Sequence, residues 1–468
     1  MSLIAPTRTL IVGSGGREHA LAWKLASEPG GNEVIVAPGS DAIAAEPRVR
    51  CLRGVNALDP GGVVAAARRE SVELVVIGPE APLAAGVADA LRAAGIAVFG
   101  PSVAAARIES SKAFCHEIAA TAGVSMARAR AFRDPDAARV FAADLASGGR
   151  GVVVKADGLA AGKGVTVCDS LDEAERAIDE LYALARGVGA RTDSARTGPA
   201  GAESIVVIEE RLAGPEASLI ALTDGRDVVA LPLARDHKRL RDGDEGPNTG
   251  GMGAFSPLPD LPDDEAGRLL DAFHRPILAE LARRGTPFVG ALYAGLILTD
   301  DGPVLLECNA RFGDPETQAI LPRLAVALGP WLLAAAQGRL GGALATARIT
   351  GSGLPTMAGA TVAIVLAAAG YPDRPRSGDP IIGLREAAAT GALLFHAGTS
   401  RDDDGTVRTA GGRVLSIVGR GPSLDAAHMA ATGAADLIDA PGLQRRHDVG
   451  LVRASFPVGS APIPAGAA

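Results

Sequence analysis

Short apolar runs alternate with helical patterns over the first hundred residues. Helical patterns follow the first run through residue 25 and cover 61–70 and 83–94. The runs themselves are rich in β-branched residues, end in turn residues and predict four strands: 8–13, 34–37, 74–77 and 96–99. Strands and helices in this alternation form a parallel sheet covered on both faces. The loops after such strands converge on one crevice, which is where ligands bind.

The pattern changes beyond residue 107. A helix is predicted from Ser111 to Ala122, and the apolar segments 151–155 and 164–168 predict a hairpin around a glycine loop. Ser170 and Glu173 have the spacing of a capping box, which predicts the start of another helix. Further strands are predicted at four places: 205–210, 228–233, 292–298 and 304–308.

A third part of the chain begins near residue 340. Strands are predicted at 361–367, 392–396 and 413–418, and a helix at 424–438. Residues 187–203 are rich in Gly, Arg, Ala and Ser and are expected to form a mobile loop. The tail 457–468 is mostly Pro, Gly and Ala and is expected to be disordered.

Composition places the chain among ordinary globular proteins. Its 468 residues are 47% hydrophobic and 21% charged, enough for two to four domains with real cores. The net charge of -8 argues against a surface for nucleic acid or anionic membranes, so anionic ligands must be held locally. No run is long enough to span a membrane, and the N-terminus lacks the pattern of a secretion signal. A cytoplasmic enzyme or binding protein is therefore expected.

The positions of the cysteines, histidines and lysines indicate which kinds of functional site the sequence favours. Four widely spaced cysteines form no CxxC pair and are expected to stay reduced, and seven scattered histidines give no HExxH spacing. Only five of the 46 cationic residues are lysines: Lys24, Lys112, Lys155, Lys163 and Lys238. All except Lys24 lie in the motifs described below, where a compact, flexible ammonium suits a phosphate.

The first glycine loop, residues 13–19, lies between a strand and a helix. Glycines there let backbone N–H groups approach a phosphate at the helix N-terminus. A dinucleotide fingerprint is disfavoured, because Glu18 stands at its third glycine position and Pro38-Gly39 ends the second strand without an acidic residue. We expect a phosphate cradle, with a merely structural tight turn as the alternative.

Lys155 stands in the middle of an apolar predicted strand and shares one face with Val153. A lysine there needs a partner for its ammonium, and a nucleotide phosphate is such a partner. The glycine loop that follows, residues 157–165, has backbone amides that could fold over phosphates. A surface hairpin with a solvated lysine is the alternative.

Two acidic segments follow predicted strands. Residues 208–216 could present backbone groups to an adenine edge and Glu216 to ribose hydroxyls, although acid-rich strand ends are usually only solvated. Glu307 and Asn309 are two apart on a strand and share one face, and beside a triphosphate their oxygens suit Mg²⁺. Arg311 suits a bidentate contact with carboxylate or phosphate. A polar strand end without function is the alternative.

The segment Asp236-His237-Lys238 precedes a glycine-dense stretch, residues 246–253. Its cations and glycines are consistent with a second anionic substrate. His237 by itself is more typical of a structural histidine than of a base, and the glycines could equally serve a tight loop.

These motifs carry a family resemblance. The order Lys112, Lys155 with its loop, 209–216 and Glu307-x-Asn309 resembles the ATP-grasp superfamily. Within it, four further segments resemble the phosphoribosylamine–glycine ligase family, in order along residues 9–453: 15–20, 78–83, 236–253 and 309–318.

The resemblance implies a fold of mixed α/β and α+β class. Residues 1–106 would form a Rossmann-like parallel-sheet domain and 107–335 an ATP-grasp domain with a lid subdomain at about 122–190. Residues 336–456 would form a small C-terminal α+β domain.

The resemblance also implies a reaction: ATP and glycine give glycyl phosphate and ADP, and the amine of 5-phosphoribosylamine then attacks. The expected partners are these small substrates, with no nucleic acid or membrane, and the expected state is a monomer. Expected metal ligands for Mg²⁺ or Mn²⁺ are Glu307 and Asn309, and expected catalytic residues are Arg311, Asp314 and Lys155. The expected ATP-binding residues are Lys112, Lys155, Asp157, Gly158, Gly162, Lys163, Gly164, Glu209, Glu210, Leu212 and Glu216. The expected substrate-binding residues are Gly15, Gly16, Arg17, Glu18, Gly78, Pro79, Glu80, Asp236, Lys238, Arg311, Gly313 and Asp314.

One departure from the superfamily is visible, because the strand 289–298 offers no acidic ligand for a second metal. Three alternatives remain: another ATP-grasp carboxylate ligase or biotin carboxylase, a dinucleotide-dependent oxidoreductase, and a non-catalytic nucleotide-binding module.

Overall fold

A computed structural model describes residues 3–149, 151–158, 164–185, 205–349 and 351–451. The predicted loop 187–203 and tail 457–468 lie outside these residues, as do Gly162 and Lys163. No helix in the described part of the chain is long and apolar enough to cross a membrane.

The N-terminal part is a five-stranded parallel sheet in the order β3-β2-β1-β4-β5. Its strands are β1 (Arg8–Gly13), β2 (Glu33–Pro38), β3 (Val49–Cys51), β4 (Leu74–Ile77) and β5 (Val98–Phe99). Its helices are α1 (Gly16–Ser27), α2 (Asp41–Ala44), α3 (Pro60–Arg69), α4 (Glu80–Ala84), α5 (Val87–Ala93) and α6 (Val103–Ser110). The predicted helix 83–94 is two helices, because Gly86 between α4 and α5 takes a left-handed conformation with φ of 85°.

A second, smaller layer follows and has its own apolar core, which includes Val154, Ile178 and Ile208. Four strands form its sheet in the order β6-β9-β7-β8. Helix α7 (Lys112–Thr121) precedes this layer, and its buried residues pack into the large core of the N-terminal and central sheets. The elements of the layer are β6 (Ala129–Phe132), α8 (Pro135–Ala146), β7 (Val152–Ala156), β8 (Val165–Cys168), α9 (Leu171–Ala185) and β9 (Val206–Glu210). The predicted hairpin is confirmed, because β7 and β8 pair antiparallel.

The central sheet has the order β11-β10-β16-β17. Its strands are β10 (Glu216–Asp224), β11 (Val228–Ala230), β16 (Val289–Thr299) and β17 (Gly302–Asn309). The strands between them are β12 (Arg235–Asp236), β13 (Arg239–Arg241), β14 (Glu245–Asn248) and β15 (Gly253–Ser256). The helices of this part are α10 (Ala266–Leu269), α11 (Arg275–Arg283), α12 (Glu316–Ile320), α13 (Gly329–Ala336) and α14 (Leu340–Ala347). The sequence analysis missed β10, whose nine residues place Glu216 at a strand start.

The C-terminal sheet has the order β12-β15-β18-β22-β19, so two of its strands come from the middle of the chain. The remaining elements are β18 (Ala360–Ala367), α15 (Leu384–Ala389), β19 (Leu393–His396), β20 (Thr399–Arg401), β21 (Val407–Thr409), β22 (Arg413–Gly421) and α16 (Leu424–Ala435). The strands and the helix predicted in this part are confirmed, with ends that differ by a few residues. Because β12 and β15 join this sheet, the Asp236-His237-Lys238 segment is held between the central and C-terminal sheets.

Candidate active site

One large cleft of about 1540 Å³ lies where the four sheets meet. The predicted site residues that line it are Arg17, Pro79, Glu80, Lys112, Lys155, Gly158, Gly164, Glu209, Glu210, Leu212, Glu216, Asp236, Lys238, Glu307, Asn309, Arg311 and Asp314. The predicted residues that are described but do not line it are Gly15, Gly16, Glu18, Gly78, Asp157 and Gly313. Motifs separated by up to three hundred residues are therefore brought to one place.

Two lysines approach the cleft from different elements. Lys112 begins α7 and donates to the carbonyl oxygen of Gly158 at 3.0 Å. Lys155 is on β7, with 8% of the residue exposed, and its Nζ lies 2.5 Å from Oε2 of Glu209. His116 contacts the other Glu209 oxygen at 2.7 Å. Burial lowers the pKa of Lys112, while nearby Glu307 raises it. This end of the cleft thus presents two cations beside backbone groups.

Asp157 begins the glycine loop and caps a helix. Its carboxylate accepts hydrogen bonds from Ser111 Oγ and Ala113 N, both at 3.1 Å. Because these donors stand at the N-terminus of α7, the carboxylate also lies at the favourable end of the helix dipole. Asp157 therefore ties the loop after Lys155 to the helix that begins with Lys112.

Glu307 and Asn309 project from the same face of β17, as predicted, and Asn309 Nδ2 donates to Glu307 Oε1 at 3.3 Å. Burial alone would raise the pKa of Glu307, but Lys238 and Lys155, with the Asn309 hydrogen bond, lower it to about 2. The carboxylate is therefore ionised. No group of three or more His, Cys, Asp or Glu side chains that could hold a metal occurs among the described residues. Mg²⁺ commonly completes its coordination with phosphate oxygens and water.

Lys238 lies between two carboxylates. Its Nζ is 2.8 Å from Glu216 and 3.8 Å from Glu307. Asp236 lies nearby, and burial together with the charges of Glu316, Glu216 and Glu307 raises its pKa despite Lys238. A lysine therefore bridges the predicted ribose and metal residues.

Arg311 is held from several directions in the wall of the cleft, two residues beyond Asn309. Its Nη2 is 3.1 Å from Glu109, its Nε is 3.5 Å from Glu80, and its Nη1 donates to the Phe312 carbonyl oxygen. Burial alone would lower the pKa of Arg311, but Glu109 and Glu80 raise it. Arg311 thus remains charged where it faces the cleft.

Asp314 follows in the same loop and meets Arg413 of β22. Arg413 Nη2 lies 3.3 Å from Asp314 Oδ2, and Arg413 also donates to the carbonyl oxygens of Asp314 and Gly250. Burial alone would raise the pKa of Asp314, but Arg413 and Arg17, with a hydrogen bond from Gln318, lower it. The C-terminal part of the chain therefore contributes a side chain to the cleft.

The first glycine loop is filled by a side chain of its own helix. Glu18 accepts a hydrogen bond from Gly15 N at 2.7 Å, and a Cβ added at Gly78 would clash with the Glu18 carboxylate. Arg17 is buried and donates to Glu18 at 2.7 Å and to the Phe312 carbonyl oxygen at 2.9 Å. The glycines here make room for Glu18, which supports the structural-turn alternative for that part of the loop.

Glu109, His116 and Arg413 also line the cleft and are not among the residues predicted from the sequence. Glu109 is on α6, His116 is on α7 and Arg413 begins β22. His116 is one turn of α7 beyond Lys112, which was a usable signal. No local motif marks the other two.

Comparison with known proteins shows the family of the chain. Three consecutive family profiles match: the N domain of phosphoribosylglycinamide synthetase at residues 7–109, its ATP-grasp (A) domain at 110–317 and its C domain at 361–452. A phosphoribosylamine–glycine ligase of Ralstonia nicotianae is 45% identical over 445 residues, which cover 95% of this chain and 98% of that protein.

Two solved structures are also similar. The crystal structure of phosphoribosylamine–glycine ligase from Thermotoga maritima has a TM-score of 0.74 and 32% identity, covering 94% of this chain and 99% of its own. The biotin carboxylase domain of a Hydrogenobacter thermophilus 2-oxoglutarate carboxylase has a TM-score of 0.66 at 16% identity, covering 94% of this chain and 92% of its own. The second likeness concerns the fold alone.

Proposed function

We propose how the cleft works from the premise that the chain belongs to the phosphoribosylglycinamide synthetase family. The chain is an ATP-dependent ligase that joins glycine to 5-phosphoribosylamine in purine biosynthesis. The observation that carries the proposed mechanism is the meeting of Lys112 and Lys155 with Glu307 and Asn309 in one cleft. Two ammonium groups and two oxygen donors form the surroundings that a metal-bound triphosphate requires.

ATP would lie with its phosphates between Lys112 and Lys155. The ribose would meet Glu216, and the adenine would lie along Glu209, Glu210 and Leu212 of the β9–β10 connection. Of the glycine loop, Asp157, Gly158 and Gly164 are described, and Gly162 and Lys163 are proposed contacts outside the described residues. Phosphoryl transfer depends mainly on such positioning and charge neutralisation rather than on a covalent nucleophile.

ATP-grasp enzymes use ATP with a divalent cation, and the donor set of β17 fits one. We propose that Glu307 and Asn309 hold Mg²⁺ or Mn²⁺. When bound, such an ion would neutralise the negative charge that develops on the phosphates during transfer.

The reaction would proceed in two steps. A glycine carboxylate oxygen attacks the γ-phosphorus of ATP, which gives glycyl phosphate and ADP. The amine nitrogen of phosphoribosylamine then attacks the acyl carbon, loses a proton and releases phosphate. Arg311 and Asp314 would face the glycine carboxylate and the acyl phosphate, and Lys155 would hold the transferred phosphate; all three line the cleft.

The substrates would occupy the end of the cleft next to the N-terminal sheet. Glycine would lie near Asp236, Lys238, Arg311 and Gly313. Phosphoribosylamine would approach over the two loops that follow β1 and β4, which provide Gly15, Gly16, Arg17, Glu18, Gly78, Pro79 and Glu80. In this arrangement Glu18 shapes the loop, because its carboxylate already takes the Gly15 amide.

The test is ADP release with Mg-ATP and each of glycine, alanine and bicarbonate, with and without phosphoribosylamine generated in situ. We expect turnover only with glycine and phosphoribosylamine together. ADP release that does not depend on glycine would exclude the ligase mechanism, and release with bicarbonate would favour a carboxylase.

We also propose that the enzyme is a cytoplasmic monomer. The four cysteines are all free in the structure, which supports the cytoplasmic location because that compartment is reducing. Light scattering coupled to gel filtration should give a mass near 47.1 kDa, and a mass of twice that value would overturn the monomer.

A further inference from the structure

Glu109 is a buried carboxylate in the wall of the cleft. The proposed function gives this residue no role. It stands near the end of α6, and only 7% of its side chain is exposed. A buried charge persists in a protein only when it is paired or hydrogen-bonded. The partners of Glu109 are therefore informative about its role.

Those partners are two consecutive residues that directly follow Asn309. One Glu109 oxygen accepts a hydrogen bond from Ala310 N at 2.7 Å, and the other lies 3.1 Å from Arg311 Nη2. The Ala310 amide belongs to the peptide that leaves Asn309. A single carboxylate thus holds the backbone just after β17 and also sets the direction of the Arg311 guanidinium.

Among the described residues of the cleft wall, no other group contacts both Ala310 N and the Arg311 guanidinium. Glu80 reaches Arg311 Nε at the longer distance of 3.5 Å and is 34% exposed. Arg17 donates to the Phe312 carbonyl oxygen further along the turn and does not reach Ala310. Only Glu109 spans the backbone beside Asn309 and the side chain of Arg311 among the described residues.

We propose that Glu109 is a positioning residue that directs Asn309 toward the metal-bound phosphates and Arg311 toward the glycine carboxylate. The inference rests on the proposed roles of Asn309 and Arg311. Glu109 itself touches no reacting atom. Groups that orient a metal ligand or a substrate clamp in this way typically change activity or metal affinity by about 10- to 100-fold.

The test variant is Glu109→Gln, which keeps the size of the side chain and removes its charge. We expect kcat to fall about 10- to 100-fold and the Kd of Mn²⁺, measured by electron paramagnetic resonance with ADP present, to rise about 10-fold or more. The KM for ATP should stay within about 3-fold, because Lys112 and Lys155 are untouched. Glu109→Asp keeps the charge but is shorter, so its kcat should lie between those of the Gln variant and the native enzyme.

The matched control is Glu117→Gln on the neighbouring helix. Glu117 also pairs with an arginine, Arg284, but its side chain is 60% exposed. The control should keep native kcat and Mn²⁺ affinity. Native values of both quantities for Glu109→Gln would overturn the inference, as would a loss of thermal stability with unchanged kcat per folded molecule.

Two results separate this inference from the proposed function. An active Glu307→Gln variant would remove the proposed metal site, whatever Glu109 does. An inactive Glu307→Gln variant together with a native-like Glu109→Gln variant would overturn only the role of Glu109. If Glu109→Gln does not fold, the same measurements on Glu109→Asp decide between these outcomes.

Discussion

Glu307 illustrates how a single residue acquires its properties from its neighbours. Three lysines lie close enough to lower its pKa although the carboxylate is buried. Removing that charge would leave Lys112, Lys155 and Lys238 with less compensation and would weaken the proposed metal site. The same carboxylate therefore compensates the charges of the lysines and is a proposed metal ligand.

We predict that Glu307→Gln lowers kcat by about 100-fold or more, at the upper end of the range for groups that support a metal. The measurement is the coupled ADP assay, with circular dichroism to show that the fold is retained. Glu265→Gln is the control, since Glu265 pairs with Arg268 at the surface. Near-native turnover of the Glu307 variant would refute its metal role.

His274 gives a pH prediction at the same scale. Burial lowers its pKa to about 4, against about 6.5 in an unfolded chain. Between these values the unfolded state binds the extra proton, so the stability contribution is complete above pH 6.5 and declines as the pH falls. We expect His274→Gln to reduce the slope of unfolding free energy against pH by about 1.4 kcal/mol per pH unit in that window. Denaturant unfolding at several pH values from 7 to 5 measures it, and an unchanged slope would contradict the prediction.

Helix α7 shows how a helix connects two parts of the site that lie far apart in the sequence. The sequence predicts its extent, and Ser111 caps it, because its Oγ accepts a hydrogen bond from Phe114 N at 3.1 Å. The second cap, Asp157, comes from a distant loop and joins the two lysine-bearing elements. Local patterns predict the helix but not this connection, because the partner is forty-four residues away from Ala113.

We predict that Asp157→Ala lowers stability by about 1 kcal/mol, as expected for a lost cap, and also raises the KM for ATP by about 5-fold. Hydrogen exchange at the first turn of α7 should increase. Asp134→Ala is the matched control, because Asp134 caps α8 away from the cleft. It should cost similar stability without changing the KM for ATP. Equal KM values for the Asp157 variant and the native enzyme would show that the cap is only structural.

At the scale of the whole molecule, the cleft depends on all parts of the chain. Arg17, Glu80 and Glu109 come from helices of the N-terminal part, Arg311 from the loop after β17, and Arg413 from the C-terminal sheet. The N- and C-terminal parts also meet directly, since His396 N donates to His19 Nδ1 at 2.9 Å. The C-terminal part thus lines the cleft and also packs against the N-terminal part.

We predict that Arg413→Gln lowers kcat about 10-fold, because Asp314 loses its arginine partner and the Gly250 carbonyl loses a donor. Arg420→Gln tests the same strand at a more exposed place and should keep native kcat. Steady-state kinetics with thermal unfolding distinguish a local effect from a general loss of stability. Equal kinetics for both variants would limit the C-terminal sheet to a structural role.

The sequence by itself determined the strand–helix alternation, the β7–β8 hairpin and the shared face of Glu307 and Asn309. These features depend on periodicity and on residues close together in the chain, where backbone geometry fixes the outcome. The sequence also contains the motifs from which membership of the family was expected.

Only the tertiary structure decided which groups meet. It filled the first glycine loop with Glu18, paired Lys155 with Glu209, placed Lys238 between Glu216 and Glu307, and brought Glu109 and Arg413 to the cleft. Such contacts join residues that are far apart in sequence, and burial and neighbouring charges then set the protonation of each group. The physical reason is that local pattern fixes the direction of a side chain, whereas packing between sheets fixes its partner.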